Sequence, residues 1–137
     1  MSHILVDSNV ILDVVKHDSI WSAWSQAQLE SCAENGVLVI NTIIYSEVSI
    51  GFDAIEEVER AIPPDAFDYA AIPREAAFLA GKCFLKYRRG GGMRRSPLPD
   101  FFIGAHAAVS SMTLLTRDAK RYQTYFPALA LICPDQH

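Results

Sequence analysis

The sequence predicts an α/β fold: a three-layer α/β/α sandwich around a mostly parallel central sheet of four or five strands, in one domain spanning residues 1–137. Short apolar runs that do not alternate recur along the chain, as strands buried on both faces require. Between them lie stretches whose apolar residues return at helical spacing, so strand and helix take turns. No internal repeat, linker or low-complexity tract interrupts this, apart from an arginine-glycine segment at 88–95.

The first strand reads as residues 3–6 and stops on Asp7. Val10, Ile11, Val14 and Val15 then mark a helix, which Asp7 would cap. Asp7 also has a functional reading, because ligands of parallel sheets bind just beyond the carboxyl ends of strands. Asp18-Ser19 supplies a cap for a second helix that should run to about Glu34 and stop at Asn35-Gly36. Trp21 and Trp24 share one surface of it, in the core or a subunit interface. The second strand is 37–40, and Asn41-Thr42 caps a helix with Ile43, Ile44, Val48 and Ile50 on its apolar side and Glu47 in its second turn. An acidic amphipathic helix follows at 53–60, broken at Pro63-Pro64, and Phe67-Asp68-Tyr69 reads as a short strand.

The helix at 73–89 carries Ala77, Phe78, Ala80, Phe84 and Leu85 as its apolar residues. Three glycines between the arginine pairs Arg88-Arg89 and Arg94-Arg95 predict a mobile cationic loop. Pro99 suits the first turn of the next helix, whose alanine-rich body to Ser110 fits burial against a sheet. A strand at 112–116, a short helix bearing Tyr122, Tyr125 and Phe126, and a last strand at 128–132 complete the pattern.

Half of the residues are hydrophobic and a fifth are charged, which fits a globular chain and argues against disorder. The apolar start lacks a basic leader, and no apolar run approaches the ~20 residues of a membrane span, so a soluble cytoplasmic protein is expected. Cys32, Cys83 and Cys133 form no CxxC, and His3, His17, His106 and His137 form no HExxH, which argues against disulfides and zinc. The formal net charge of -4 hides a segregation: six of 12 basic residues lie at 82–95, and six of 16 acids at 53–68. Local potential governs association more than the total, so nucleic acid stays in play as a partner.

Four acids share a kind of placement. Asp7 ends the first strand, Asp118 follows the strand closed by Thr116, Glu47 lies in the helix after the second strand, and Asp100 lies in a first helical turn. Strand ends and the starts of following helices lie along one edge of a parallel sheet, so the four can converge. Each also has a plain reading: Asp7 and Asp118 as caps, Asp100 as a favourable first-turn acid, Glu47 as a solvated residue. Clustered carboxylates repel unless a cation holds them ionised, and oxygen-only ligands select Mg2+ or Mn2+. Such an ion activates water and stabilises charge on a phosphoryl oxygen. Asn9 and Thr116 are candidate accessory groups that orient ligands or water. Asp13, four residues after Asn9, reads as solvated surface, with a supporting role as the alternative. Arg88, Arg89, Arg94 and Arg95 are candidate phosphate-gripping groups, with a plain solvated loop as the alternative.

Leu5-Val6-Asp7-Ser8-Asn9 with Leu12-Asp13, Tyr45-Ser46-Glu47, Leu98-Pro99-Asp100-Phe101-Phe102-Ile103-Gly104-Ala105-His106-Ala107 and Leu114-Leu115-Thr116-Arg117-Asp118 together resemble the PIN domain. In spacing and length the chain most resembles VapC-type toxins of bacterial type II toxin-antitoxin pairs. The resemblance implies a PIN-like sandwich and a magnesium- or manganese-dependent ribonuclease that cuts single-stranded RNA. It carries over Asp7, Glu47, Asp100 and Asp118 as the metal-holding acidic quartet and Thr116 as the accessory hydroxyl. It further implies a homodimer, and inhibition by a small antitoxin that reaches the active site with a basic or bulky side chain. Residues 53–68 match no motif of the family, and an acidic rim or an antitoxin groove are both open for them.

Other readings fit less well. A haloacid dehalogenase-like phosphatase needs a second Asp two after the first, where Asn9 stands. A receiver domain needs a lysine ending a late strand, where Thr116-Arg117 stands. A PIN-like module that binds RNA or protein without cutting is the main alternative, and the presence of all four acids argues against it. A structure-specific DNA nuclease or a housekeeping nuclease would share the metal chemistry.

Overall fold

A computed structural model describes residues 2–91 and 97–134. In chain order the elements are β1 (Ser2–Val6), α1 (Ser8–Val15), α2 (Ser22–Asn35), β2 (Gly36–Ile40), α3 (Thr42–Ser49) and α4 (Ile55–Ala61). They continue with β3 (Asp68–Tyr69), α5 (Arg74–Arg89), α6 (Leu98–Val109), β4 (Thr113–Leu115), α7 (Ala119–Tyr125) and β5 (Leu131–Ile132). The expected α/β architecture is present, and its sheet has five strands in the order β3-β2-β1-β4-β5. Every pairing is parallel, with Leu5 opposite Val39 on one side and Leu114 on the other.

This order follows from the sequence. Ile4, Leu5 and Val6 are apolar on consecutive positions, so β1 can be stable only where both faces are covered, and all three are buried. The chain then steps outward from β1 to β2 to β3, reverses across the sheet, and steps outward again from β4 to β5. Right-handed crossovers put α1–α4 on one face and α5–α7 on the other, giving three layers. The contacts agree in the main: α1 meets α2 and α3, and α5 and α7 each meet α6, while α3 touches α6. The reversal falls between β1 and β4, which in such sheets is where ligands bind. Among the described residues, no helix is long and apolar enough to cross a membrane.

Several expectations need correction. Ile50 does not face the core; α3 ends one residue earlier and Ile50 is 86% exposed. On α5 the buried face is Ala76, Ala80 and Cys83, while Ala77, Phe78 and Leu85 are exposed. Adjacent apolar residues point about 100° apart on a helix, so Ala76 and Ala77 cannot share a face. Lys82 lies over the exposed Phe78 ring, its Nζ 5.1 Å from the centroid, and so shields part of it. Asp18 caps the turn before α2, accepting from the Ile20 and Trp21 N–H groups, and α2 itself begins at Ser22. The last strand is Leu131–Ile132 alone.

Among the described residues, two helices are followed by a non-glycine residue at positive φ. His17 (φ 53°) and Ser111 (φ 56°) take the left-handed position after α1 and α6. In both, the two N–H groups past the helix return to its last carbonyls: His17 and Asp18 to Val14 and Asp13, Ser111 and Met112 to Ala108 and Ala107. This is the Schellman arrangement.

Gly104 is set inside α6 against the buried Phe126, where an added Cβ would lie 2.7 Å from the ring's Cδ2. Alanine would favour the helix by about 1 kcal/mol. Overpacking a ring that is 5% exposed should cost about 1–3 kcal/mol and prevail. Gly104→Ala is therefore expected to lower the denaturant midpoint; an unchanged or raised midpoint would show that Phe126 yields freely.

Candidate active site

Asp7 leaves the end of β1, where the backbone N–H donates to the Leu115 carbonyl of β4 at 2.9 Å. Its carboxyl is 4% exposed. Oδ1 accepts from the Ser8 N–H at 2.8 Å, so the capping role is real. Oδ2 accepts from the Thr116 hydroxyl at 2.8 Å and from the Tyr122 hydroxyl at 3.1 Å. Burial raises its pKa from 3.8 to about 7; the Thr116 bond opposes this, and the charges of Asp100 and Glu47 add to it. A cap alone needs no such surroundings.

Glu47, one turn into α3, accepts from the Ser8 hydroxyl at 2.9 Å. Its pKa is also raised, by burial first, with Ser8 opposing and Asp100 adding. Asp100, in the first turn of α6, is raised by burial and by Asp118, while the Arg121 guanidinium 2.6 Å away pulls it down. Asp118 precedes α7, is exposed, and makes no side-chain bond to that helix, so it is not spent on capping. Its N–H donates to the Thr116 hydroxyl oxygen at 3.1 Å. The electrostatics thus run as a chain, Glu47 to Asp7 to Asp100 to Asp118, along one edge of the sheet.

The side groups divide the work. Thr116 donates to Asp7 and accepts from the Asp118 backbone, tying two of the four acids through one hydroxyl. Burial and the surrounding acids push the Tyr122 phenol well above its ordinary pKa, so it stays a donor to Asp7. Asn9 accepts from the Arg117 N–H at 3.3 Å and links α1 to the turn after β4. Asp13 is not solvated surface: it is 3% exposed. It holds Arg117 through two bonds at 2.7 and 2.9 Å and accepts from Ser25 at 2.7 Å. Trp21 covers the same guanidinium at 5.4 Å. Asp13 therefore supports the turn carrying Thr116 and Asp118 from behind. Ser8, Arg121 and Tyr122 were missed as site residues. The one sequence signal for Tyr122 was its place one helical turn after Asp118.

Arg88 and Arg89 are exposed in the last turn of α5, with Arg88 5.9 Å over Phe84; Arg94 and Arg95 lie outside the described residues. That end of α5 adjoins the acids through aromatic contacts: Tyr87 meets Phe101 at 5.9 Å, and Phe101 meets Tyr125 at 4.8 Å.

Whether the acids fit a cation has two sides. Among the described residues, no three acidic, thiol or imidazole side chains form a ready cage. Mg2+ does not need one, since it keeps several waters and takes one or two carboxylates plus substrate phosphates. The donors here are all oxygen, and three of the four hold protons more tightly than free carboxylates, chiefly through burial and secondarily through neighbouring acids. The set fits a hard divalent ion.

The family model for the PIN domain matches residues 4–127. The chain belongs to the PIN domain family. Solved PIN-fold structures resemble it across nearly its whole length at identities that carry the fold alone. VapBC2 from Rickettsia felis, bound to a DNA fragment from its promoter, shares 20% identity at TM-score 0.71, covering 97% of this chain and 99% of that one. A toxin-antitoxin complex from Klebsiella pneumoniae shares 21% at 0.70, covering 98% and 99%. VapBC-1 from nontypeable Haemophilus influenzae shares 20% at 0.69, covering 96% and 97%. No curated protein matched the chain. Within the PIN fold, the reversal between β1 and β4 puts Asp7 centrally, with Glu47 and Asp118 on its two flanks.

Proposed function

We propose that this PIN domain is a metal-dependent endoribonuclease acting in the cytoplasm as the toxin of a type II toxin-antitoxin pair. The observation that carries it is the run of four acids along the sheet edge at its reversal, three of them raised in proton affinity by burial first and by neighbouring acids second. Asp7, Glu47, Asp100 and Asp118 would hold Mg2+ or Mn2+. A divalent ion bound there supplies an activated water and charge for the phosphoryl oxygens. Thr116 and Tyr122 aim the Asp7 carboxylate, and Ser8 aims Glu47. Among the described residues Arg121 is the only cation ion-paired to one of the four acids, and on substrate binding it can turn from Asp100 to a phosphate. Arg88 and Arg89 extend positive charge along α5, and Arg94 and Arg95 belong to the same proposed RNA-gripping set. The toxin assignment rests on the toxin-antitoxin complexes that share this fold. A cognate antitoxin and a homodimer are the partners it brings.

The test is to map the ends that purified protein leaves on total RNA with Mg2+ or Mn2+ and with chelator. Discrete metal-dependent ends in single-stranded regions are expected. Cleavage that persists in chelator would sink the metal reading, and intact RNA under all conditions would favour the non-cutting module. Thr116→Val is expected to slow cleavage about 10- to 100-fold, as loss of a ligand-orienting group does. Valine deprives both Asp7 and the Asp118 N–H of a partner. A rate equal to wild type would remove Thr116 from the site.

A further inference from the structure

The acid chain has shoulders of opposite charge. Glu47 lies on α3, beside α4, whose Glu59 accepts from Tyr45 of α3 and whose Glu56 is exposed, while the half-buried Glu57 accepts from the Asp53 and Ala54 N–H groups. Asp118 lies on the other flank of β1, at the head of α7, where Lys120 and Arg121 follow. A groove of about 350 Å³ opens there, lined by Asp118, Lys120, Arg121, Thr124 and Tyr125. Lys86 reaches its edge from α5, with Nζ 6.0 Å from the Tyr125 ring centre. Lys120 and Lys86 make no ion pair among the described residues, and Arg121 spans from the groove to Asp100.

An RNA strand cut at the acids must continue on both sides of the cut. Over α4 its phosphates would meet carboxylates; over α7 and α5 they meet Lys120 and Lys86, which make no ion pair among the described residues. We propose that the α7 groove holds a phosphate flanking the cleaved bond, gripped by Lys120 and Lys86, so that RNA leaves the site across α7 and α5. This rests on the ribonuclease reading and adds the path of the substrate. The groove's size suits a nucleoside phosphate. Its continuity with the acids through Asp118 and Arg121 favours the substrate itself over an acidic peptide docked separately.

The experiment uses the full chain carrying Asp7→Asn, so that RNA is bound and not consumed. A single-stranded RNA oligonucleotide is titrated by fluorescence anisotropy across a potassium chloride series. Lys86→Ala with Lys120→Ala should weaken binding about 10-fold and flatten the log-log salt slope by ~0.7 or more, the value for one phosphate contact on a single strand. Lys86→Arg with Lys120→Arg should restore the slope, which a merely structural role would not predict. Glu56→Gln, on the acidic shoulder, should leave binding unchanged or tighter. Unchanged affinity and slope in the double alanine variant, alongside normal binding by its parent, would overturn the groove and leave the ribonuclease reading standing. The same holds if that variant loses affinity only for an acidic antitoxin peptide. A parent protein that binds no RNA overturns both.

Discussion

Asp7→Asn is expected to reduce RNA cleavage by about 10³-fold or more while the protein folds normally and becomes more stable at pH 8. The first effect follows from position: Asp7 is the central acid, coupled to Asp100 and Glu47 alike. The second follows from linkage. The folded Asp7 titrates at about 7 against an ordinary 3.8. Below pH 3.8 it is protonated in both the folded and unfolded chain and costs nothing. As pH rises from there, the unfolded chain ionises first and stability falls, until the full penalty is reached above about pH 7. The penalty is of order 4 kcal/mol at most, and asparagine removes it. Asparagine can still accept from the Ser8 N–H, and the Thr116 and Tyr122 hydroxyls can rotate to accept from its amide. Thermal melts of both proteins should thus diverge at pH 8 and converge near pH 4. An active variant, or one less stable at pH 8, would contradict this account.

A divalent cation should reverse the same penalty in the wild type. Mg2+ or Mn2+ is expected to raise the melting temperature at pH 8, and much less at pH 5, where a proton occupies the central Asp7 carboxyl. At 100 times its dissociation constant a bound ion adds about 2.7 kcal/mol, several degrees for a chain of this size. Melts with manganese and with chelator at the two pH values measure this, and Asp7→Asn should lose most of the shift. Identical melting temperatures at pH 8 would mean that the acids take no ion, and the nuclease mechanism would fall with it.

These expectations depend on groups that were unequally legible in the sequence. The sheet was legible because β1, β2 and β4 are apolar on consecutive positions, and only a strand covered on both faces tolerates that. The positions of the four acids were legible for a related reason: strand ends in a parallel sheet share an edge. The surroundings of those acids were not. Asp13 looked like surface because its partner, Arg117, lies 104 positions away and nothing local announces the pair. Tyr122 and Phe126 are both apolar-looking residues on one short segment, yet only Tyr122 turns its hydroxyl to Asp7. The left-handed turns after α1 and α6 were hidden because His17 and Ser111 stand where glycine is the usual sign. On α5 the apolar residues alone did not show which face is buried, because Ala77, Phe78 and Leu85 are apolar yet exposed.

The two outermost strands, β3 and β5, are two residues long each. Among the described residues the sheet therefore offers an incoming chain almost no backbone to pair with. Neither a second copy nor an antitoxin can gain much by extending the sheet, the route that longer edges invite. Whatever binds this protein gains more from its side chains than from its strand edges, and the selectivity of such partners is written in surface chemistry rather than in backbone pairing.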